Sequence, residues 1–177
     1  IFQTYRFKEG ILMSKGKIKN THVGQKFTSC LALSQARIHQ YQGPDKKSTT
    51  APGIVTDKDG VASSILLNGG YIDDLDLGNR IIYTGSGGQE NKIQIFDQVL
   101  EGVAGRNNRG LVNAHEKKTP IRVIRGYKHH SNLAPTKGYR YDGIFYIESY
   151  KWKHSIYGPK VIMFTLVSEE IFKGERK

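Results

Sequence analysis

Two tyrosines with carboxylates between them are the residues of this chain best suited to bind a planar, amine-bearing ligand. Tyr71 and Tyr83 flank an acidic run, and glycines beside both ends of the segment let a backbone approach a ligand closely. Two aromatic rings can sandwich a planar ring, and a carboxylate between them can accept a hydrogen bond from an exocyclic amine. A cytosine taken out of a duplex would need that combination. The pattern therefore predicts a pocket that reads a nucleobase.

Five short motifs follow one another in a fixed order along the chain. They are Gly-Gly-Tyr-x-Asp-Asp-x-Asp at 69–76, Tyr-Thr-Gly-Ser-Gly-Gly at 83–88, Asp-Gln at 97–98, Pro-Ile-Arg-Val-Ile-Arg-Gly at 120–126 and Tyr-Asp-Gly at 141–143. Together they resemble the SRA domain (SET- and RING-associated, also called the YDG domain), and the likeness extends from about Val23 to Val167. The resemblance implies a reader of methylated cytosine in DNA, as found in chromatin proteins and in bacterial modification-dependent restriction enzymes.

The resemblance also assigns roles to the residues around the two tyrosines. Asp74 matches the family's reading carboxylate, and an ionised acceptor favours cytosine over thymine because only cytosine presents an amine at that edge. Thr84 can supply backbone groups to the same edge. The wall beside the C5 substituent would contain glycines, whose missing side chains leave room, and Ser86 would lie near that wall or near a phosphate. The predicted base-binding residues are Asn68, Gly69, Gly70, Tyr71, Asp74, Tyr83, Thr84 and Ser86.

The energetics of such a pocket limit its selectivity. Extruding a base costs a few kcal/mol, and two stacked tyrosine faces at ~1–3 kcal/mol each roughly offset that cost. A methyl group entering an apolar recess contributes ~1–3 kcal/mol, and the same recess rejects an added hydroxyl poorly. We therefore expect a preference for 5-methylcytosine without absolute rejection of plain cytosine. 5-Hydroxymethylcytosine is also a candidate ligand.

Two polar loops are predicted to contact the DNA. Residues 40–53 contain glycine and proline without apolar periodicity, and residues 89–94 follow the double glycine directly. In the family, equivalent loops enter the two grooves and fill the gap left by the extruded base. The family's asparagine-lysine-arginine finger is present here only as Asn91 and Lys92, with Ile93 in place of the arginine. The predicted contact residues are Lys46, Lys47, Ser48, Thr49, Thr50, Ala51, Gln89, Asn91 and Lys92.

The charge balance suits a polyanionic partner. The chain has 27 lysines and arginines against 16 aspartates and glutamates, a net charge of +11, and the basic residues flank an acid-rich centre. This arrangement fits a duplex held by its phosphates, because each phosphate contact releases counterions. The candidates for phosphate contact are Gly87, Gly88, Arg122, Arg125, Lys128 and Arg140. We expect double-stranded DNA with modified cytosine as the partner, and no cofactor, metal or membrane.

Apolar segments rich in β-branched and aromatic residues predict an α+β domain that is mostly β. Strands are expected at about 60–67, 79–84, 121–125, 143–150 and 160–167. Short helices are expected at 96–103, with Gly105 and Asn107 near its end, and at 111–117. The resemblance implies a PUA-like curled β-barrel, the SRA fold, with a few short helices packed outside. A single domain is expected over residues 1–177, with its core at about 23–167.

Other functions have weaker signals. Asp142, Glu148 and Lys151 have the wrong spacing for a metal-dependent nuclease centre, and we assign Asp142 a structural role. The histidines show no zinc-ligand spacing, so no catalytic residue is predicted. A eukaryotic chromatin reader and an RNA-binding PUA-like module are the alternatives.

The start of the chain suggests a wider context. It lacks an initiator Met and a signal-peptide pattern, so we expect a fragment of a longer protein. We expect a linked nuclease domain, as in a prokaryotic restriction enzyme, and the missing regions leave a homodimer open. A single cysteine, Cys30, fits a reducing compartment. We therefore expect the bacterial cytoplasm at the nucleoid, or the nucleus if the source is eukaryotic.

Overall fold

The computed structural model describes residues 15–40 and 51–175, which form one mixed sheet, a separate hairpin and three helices. The strands are β1 (Lys26–Phe27), β2 (Ile54–Thr56), β3 (Ala62–Leu67), β4 (Leu75–Asp76), β5 (Arg80–Thr84), β6 (Gln89–Glu90), β7 (Ile93–Gln94), β8 (Ile121–Gly126), β9 (Tyr139–His154) and β10 (Lys160–Ser168). The helices are α1 (Cys30–Gln35), α2 (Gly102–Glu116) and α3 (Glu169–Gly174). The predicted class, mostly β with a few short helices, is confirmed.

The sheet places both halves of the predicted pocket side by side. Its order is β2-β3-β8-β9-β10-β5-β4, with β1 paired to β9 off this path. Only β3 and β8 pair in parallel in this described sheet, and α2 lies in the long connection that a parallel pair requires. Leu75 of β4 pairs with Ile82 of β5. The acidic run before β4 therefore lies beside the end of β5, which carries Tyr83 and Thr84.

Two apolar clusters cover the two faces of the central strands. The larger cluster joins α2 to β3, β5, β8 and β10 and includes Ile65 and Val123. The smaller cluster joins α1 to the other face and includes Leu66 and Ile124. Because successive residues of a strand point to opposite faces, β3 and β8 are buried on both sides. All six residues of each strand are buried.

The two predicted helices at 96–103 and 111–117 are corrected to one. The chain forms the single 15-residue helix α2, and the segment before it is not helical. That segment bonds to neighbouring chain segments instead, since the Gln98 N–H donates to the Lys160 carbonyl at 2.8 Å. Gly105, which we expected near a helix end, lies inside α2. A Cβ at Gly105 would come within 2.2 Å of the Leu100 carbonyl carbon, so this glycine permits close packing.

The predicted strands are present, with one large change in length. The strand expected at 143–150 runs from Tyr139 to His154, because β10 pairs with its second half from Phe145 to His154. Helices α1 and α3 were not predicted, because each has only six residues and so shows no helical periodicity in its apolar residues. None of the helices in the described ranges is long and apolar enough to cross a membrane.

Candidate nucleic-acid interface

Hydrogen bonds join the two tyrosine-containing motifs. The Tyr71 hydroxyl accepts a hydrogen bond from the Gly87 N–H at 2.8 Å. The Gln89 side chain donates to the Gly70 carbonyl at 3.1 Å. Segments that are distant in sequence thus form one continuous surface, and Tyr71 is half-buried within it.

Asp74 is a half-buried residue in the middle of this surface, and its carboxyl group lies largely out of solvent. Its Oδ1 accepts the backbone N–H of Thr84 at 2.7 Å. Burial raises the pKa of Asp74 to about 6, although hydrogen bonding from Thr84 and the positive field of His129 act in the opposite direction. A carboxylate offers about four acceptor positions, so the Thr84 N–H leaves acceptor capacity for a ligand. With a pKa of about 6, this carboxyl group is mostly ionised at pH 7 and can accept a hydrogen bond from an amine.

Tyr83 lies deeper than we predicted. It is 2% exposed, belongs to the larger apolar cluster, and donates its hydroxyl hydrogen to the Gly53 carbonyl at 2.9 Å. Burial, and then the nearby Asp74 and Tyr71, raise the pKa of Tyr83 well above its usual value. An open sandwich of two tyrosines is not formed in this conformation. A base would reach the Tyr83 ring only after neighbouring groups move.

The predicted C5 wall rests on the turn after β8. The Asn68 side-chain carbonyl accepts the Lys128 N–H at 3.0 Å. Gly69 has a φ of +69°, and a Cβ there would lie 2.5 Å from the Lys128 carbonyl oxygen. A Cβ at Gly70 would meet nothing within 4 Å. Gly69 is thus required by the backbone, whereas Gly70 leaves open space.

Three side-chain amides hold the glycine-rich loop, residues 85–88. Gln94 and Gln98 donate to carbonyl oxygens of this loop at 2.9 and 2.6 Å. Asn108, fully buried in α2, accepts the Ser86 N–H at 2.7 Å and donates to the Ser86 carbonyl at 3.0 Å. Sequence reasoning missed Gln94 and Asn108, because single amides carry no periodic signal. Only the Asp-Gln motif pointed to Gln98.

A second cluster of charges, which we call the Asp76 network, consists of Asp76, Arg125, His129, Asp142 and Arg140. Arg125 donates to both Asp76 oxygens at 2.7 Å and lies 2.9 Å from Asp142. His129 Nε2 lies 2.9 Å from Asp76, and Arg140 Nε lies 2.7 Å from Asp142. Burial opposes ionisation of Asp76, but the hydrogen bonds from Arg125 and His129 outweigh it and hold the pKa of Asp76 well below its usual value.

The Asp76 network corrects one phosphate candidate and explains Asp142. The prediction that Arg125 contacts phosphate is wrong, because its side chain is 2% exposed and is occupied by carboxylates. The carboxylate of Asp142 pairs with the side chains of Arg125 and Arg140, which fits the structural role expected for it. Arg140 keeps partial exposure at the rim of the network.

Arg122 is also wrongly predicted as a phosphate contact. It is fully buried and donates to the carbonyl oxygens of Ile38 at 2.7 Å and Gly16 at 3.0 Å. Burial lowers its pKa to about 10. Arg122 therefore braces the segments around α1 against β8, and it has no surface to offer to a phosphate.

The remaining predicted contacts differ in how they are placed. Asn91 and Lys92 form the exposed two-residue turn between β6 and β7, with φ values of 49° and 67° that are typical of a tight hairpin. Lys128 is exposed, whereas Ala51 packs against the smaller apolar cluster. The predicted contacts Lys46, Lys47, Ser48, Thr49 and Thr50 lie outside the described residues.

The rejected nuclease centre does not assemble. Glu148 pairs with Arg80, whereas Asp142 pairs with Arg125 and Arg140. Within residues 15–40 and 51–175, no group of three or more histidine, cysteine, aspartate or glutamate residues could hold a metal ion.

Comparison with known proteins agrees with this fold. Residues 14–170 match the family model of the SAD/SRA domain, so the chain belongs to that family. The chain is 34% identical over 149 residues to a UHRF1-like protein of Cryptococcus neoformans var. grubii, a match that covers 75% of this chain and 39% of that protein. It is 32% identical over 171 residues to the histone-lysine N-methyltransferase SUVH5 of Arabidopsis thaliana, covering 88% of this chain and 21% of that protein. The chain thus spans less than half the length of these relatives.

Two solved structures are similar in both fold and sequence. The modification-dependent TagI restriction endonuclease matches with a TM-score of 0.78 and 33% identity, covering 92% of this chain and 55% of that one. The SRA domain of SUVH5 bound to fully hydroxymethylated CG DNA matches with a TM-score of 0.67 and 33% identity, covering 88% and 93%. The expected SRA fold is therefore confirmed.

Proposed function

We propose that this domain binds double-stranded DNA containing 5-methylcytosine or 5-hydroxymethylcytosine and flips the modified base into the pocket at Tyr71, Asp74 and Tyr83. The observation that carries the proposal is Asp74, a buried carboxylate without an arginine or lysine partner among the described residues. Burying a carboxylate unpaired is costly, so such a group indicates a ligand that supplies the missing donors. The exocyclic amine of cytosine is such a donor.

The rest of the pocket supports the same ligand. Tyr71 is positioned by the Gly87 N–H and offers a ring face for stacking. Gly70 leaves open space where a substituent on the base could enter. Tyr83 would complete the sandwich after a local rearrangement, which is ordinary when a domain closes on a ligand.

We further propose that the domain directs a linked nuclease to modified DNA. Support comes from the similarity to the TagI restriction endonuclease, whose chain is longer than the matched region. The relatives named UHRF1-like protein and SUVH5 support the alternative of a chromatin reader with the same pocket. Catalysis would in either case belong to another part of the protein.

Titration of an Asp74→Ala variant tests the proposal. Loss of Asp74 should weaken binding to a methylated duplex much more than binding to the unmodified duplex, because only the flipped base meets this carboxylate. Asp59→Ala removes an exposed carboxylate and is the matched control. Equal losses on both duplexes would remove the pocket assignment, and tighter binding to a matched RNA would favour the RNA-binding alternative.

A further inference from the structure

The end of the β9–β10 hairpin projects beyond the body of the sheet. β8 pairs with β9 only as far as Phe145, and the last six residues of β9 are all exposed. Among their partners in β10, Val161 and Ile162 are fully buried, whereas Lys160 is exposed. We refer to residues 151–160 as the hairpin tip.

Asp73 ties the hairpin tip to the proposed pocket. The Ser155 hydroxyl donates to Asp73 Oδ2 at 2.5 Å, and the Ile156 N–H donates to Asp73 Oδ1 at 3.3 Å. Lys153 Nζ lies 3.4 Å from the same carboxylate. Asp73 directly precedes Asp74, so the hairpin tip lies beside the loop that carries the reading carboxylate.

The other face of the hairpin tip lies beside Gln98, one of the residues that hold the glycine-rich loop. Trp152 and His154 line a cavity of about 440 Å³ together with Asp97 and Gln98. Gln98 is the residue whose amide holds residue Gly85. The hairpin tip thus contacts the supports of both loops that form the proposed pocket.

The composition of the hairpin tip suits a nucleic-acid backbone. Lys151 and Lys160 are exposed and have no ion-pair partner among the described residues. Trp152 and Tyr157 are 42% and 44% exposed. Lys160 lines the same cavity as Trp152, whereas Lys151 lies on the opposite face of β9. Exposed aromatic side chains near unpaired cations indicate a surface that a charged, partly apolar partner covers. Asp97 is the one carboxylate lining the cavity, and its Oδ1 accepts the Lys160 backbone N–H at 2.7 Å.

We propose that the hairpin tip is a further contact surface for duplex DNA, beside the flipped base. Lys151 and Lys160 contact phosphates, and Trp152 and Tyr157 pack against the deoxyribose backbone. This inference rests on the proposed function, because the pocket fixes where the duplex lies. Contacts of this kind position the duplex without reading its sequence.

Trp152 is the only tryptophan in the chain, so its fluorescence reports on the hairpin tip alone. Saturation with either a methylated or an unmodified duplex should quench it. Asp74→Ala should keep this quenching while losing the preference for the methylated duplex. If duplex DNA quenches Trp152 but the unmutated domain shows no preference for the modified base, the proposed pocket would be contradicted, whereas the proposed hairpin surface would be supported.

A pair of lysine variants supplies the second readout. The Lys151→Ala, Lys160→Ala double variant should weaken both duplexes by the same factor and flatten the slope of log affinity against log salt by about 2. The control, Lys58→Ala with Lys117→Ala, removes two exposed lysines near the other end of α2 and should leave the slope nearly unchanged. Unchanged Trp152 fluorescence at saturation, or equal slope changes in the two double variants, would overturn the proposal. Trp152 fluorescence that changes on addition of another protein but not on addition of DNA would also overturn the proposal.

Discussion

Asp74 and Asp76 are two buried aspartates that lie two positions apart, yet their environments differ completely. Asp76 receives hydrogen bonds from Arg125 and His129, and its pKa is held far below the usual value. Asp74 receives a backbone N–H from Thr84, and burial raises its pKa to about 6. The comparison shows that a compensated buried charge maintains the fold. An uncompensated one is available for a ligand.

The largest expected effect concerns the compensated carboxylate. Asp76→Ala should destabilise the domain by ~3–5 kcal/mol, because it leaves Arg125 buried with half of its partners removed. Asp74→Asn should change the free energy of unfolding at pH 7 far less. Urea denaturation of both variants at pH 7 measures the difference. Similar losses of unfolding free energy in the two variants would contradict the view that Asp76 maintains the fold whereas Asp74 serves a ligand.

A smaller effect is expected from Tyr71. Tyr71→Ala should weaken binding to a methylated duplex by ~1–3 kcal/mol through lost stacking. Tyr71→Phe keeps the ring and removes only the hydroxyl that accepts from Gly87, so it should bind nearly as well. Isothermal titration calorimetry compares the variants. A loss in the phenylalanine variant as large as in the alanine variant would mean that Tyr71 acts through its hydroxyl, by holding the glycine-rich loop.

Of the two glycines in the proposed wall, we expect Gly69 to affect the stability of the domain and Gly70 to affect its selectivity for the modified base. Gly69→Ala should cost ~1–2 kcal/mol of stability, because an L-residue disfavours a left-handed backbone and its Cβ would meet the Lys128 carbonyl. Gly70→Ala should fold normally and reduce the ratio of affinities for methylated and plain duplexes. Thermal melting and competition binding provide the two readouts. An unchanged ratio in Gly70→Ala would remove Gly70 from the wall.

The raised pKa of Asp74 predicts a pH dependence of binding. Above pH 6 the carboxylate is mostly ionised and, under the proposed function, would accept the cytosine amine, whereas below pH 6 it becomes mostly protonated. Affinity for the methylated duplex should be roughly ten-fold lower at pH 5 than at pH 7.5, since each pH unit below the pKa is tenfold in the ionised fraction. Asp74→Asn should abolish this dependence. A flat profile for the unmutated domain would indicate that Asp74 does not accept from the ligand.

The same pKa fixes the sign of a stability change. The folded protein holds a proton on Asp74 between its unfolded pKa near 4 and its folded pKa of about 6. The contribution of Asp74 to the free energy of unfolding should therefore fall as the pH rises through this window. Chemical denaturation of Asp74→Asn beside the unmutated domain at pH 4.5 and 7 checks the sign. A larger contribution at pH 7 would contradict the buried, unpaired carboxylate.

The sequence predicted the five longer described strands, β3, β5, β8, β9 and β10, because their apolar patterns are local, and it missed the strands of two or three residues. Tyr71 was proposed from its residue type and Asp74 from the family resemblance, and in the structure Asp74 bonds to the backbone of both Tyr71 and Thr84. Arg122 and Arg125 were misassigned because a basic residue in a basic chain suggests a phosphate contact. Their apolar neighbours in β8 were the available sign of burial.

Other features depend on contacts between distant segments. Asn108 binds Ser86 across 22 positions, and no spacing rule links an amide in a helix to that loop. Glycines misled the helix assignment, since Gly105 marks close packing against Leu100 and not a helix end. The burial of Tyr83 likewise depends on Gly53, which is 30 positions away.

Base flipping is the central claim, and 2-aminopurine placed beside the modified cytosine tests it most directly. Extrusion of the cytosine unstacks this probe, so its fluorescence should rise when the unmutated domain binds a methylated duplex. The rise should be much smaller with Asp74→Ala at the same fraction of duplex bound. Tight binding of the methylated duplex without any rise in fluorescence would contradict the account.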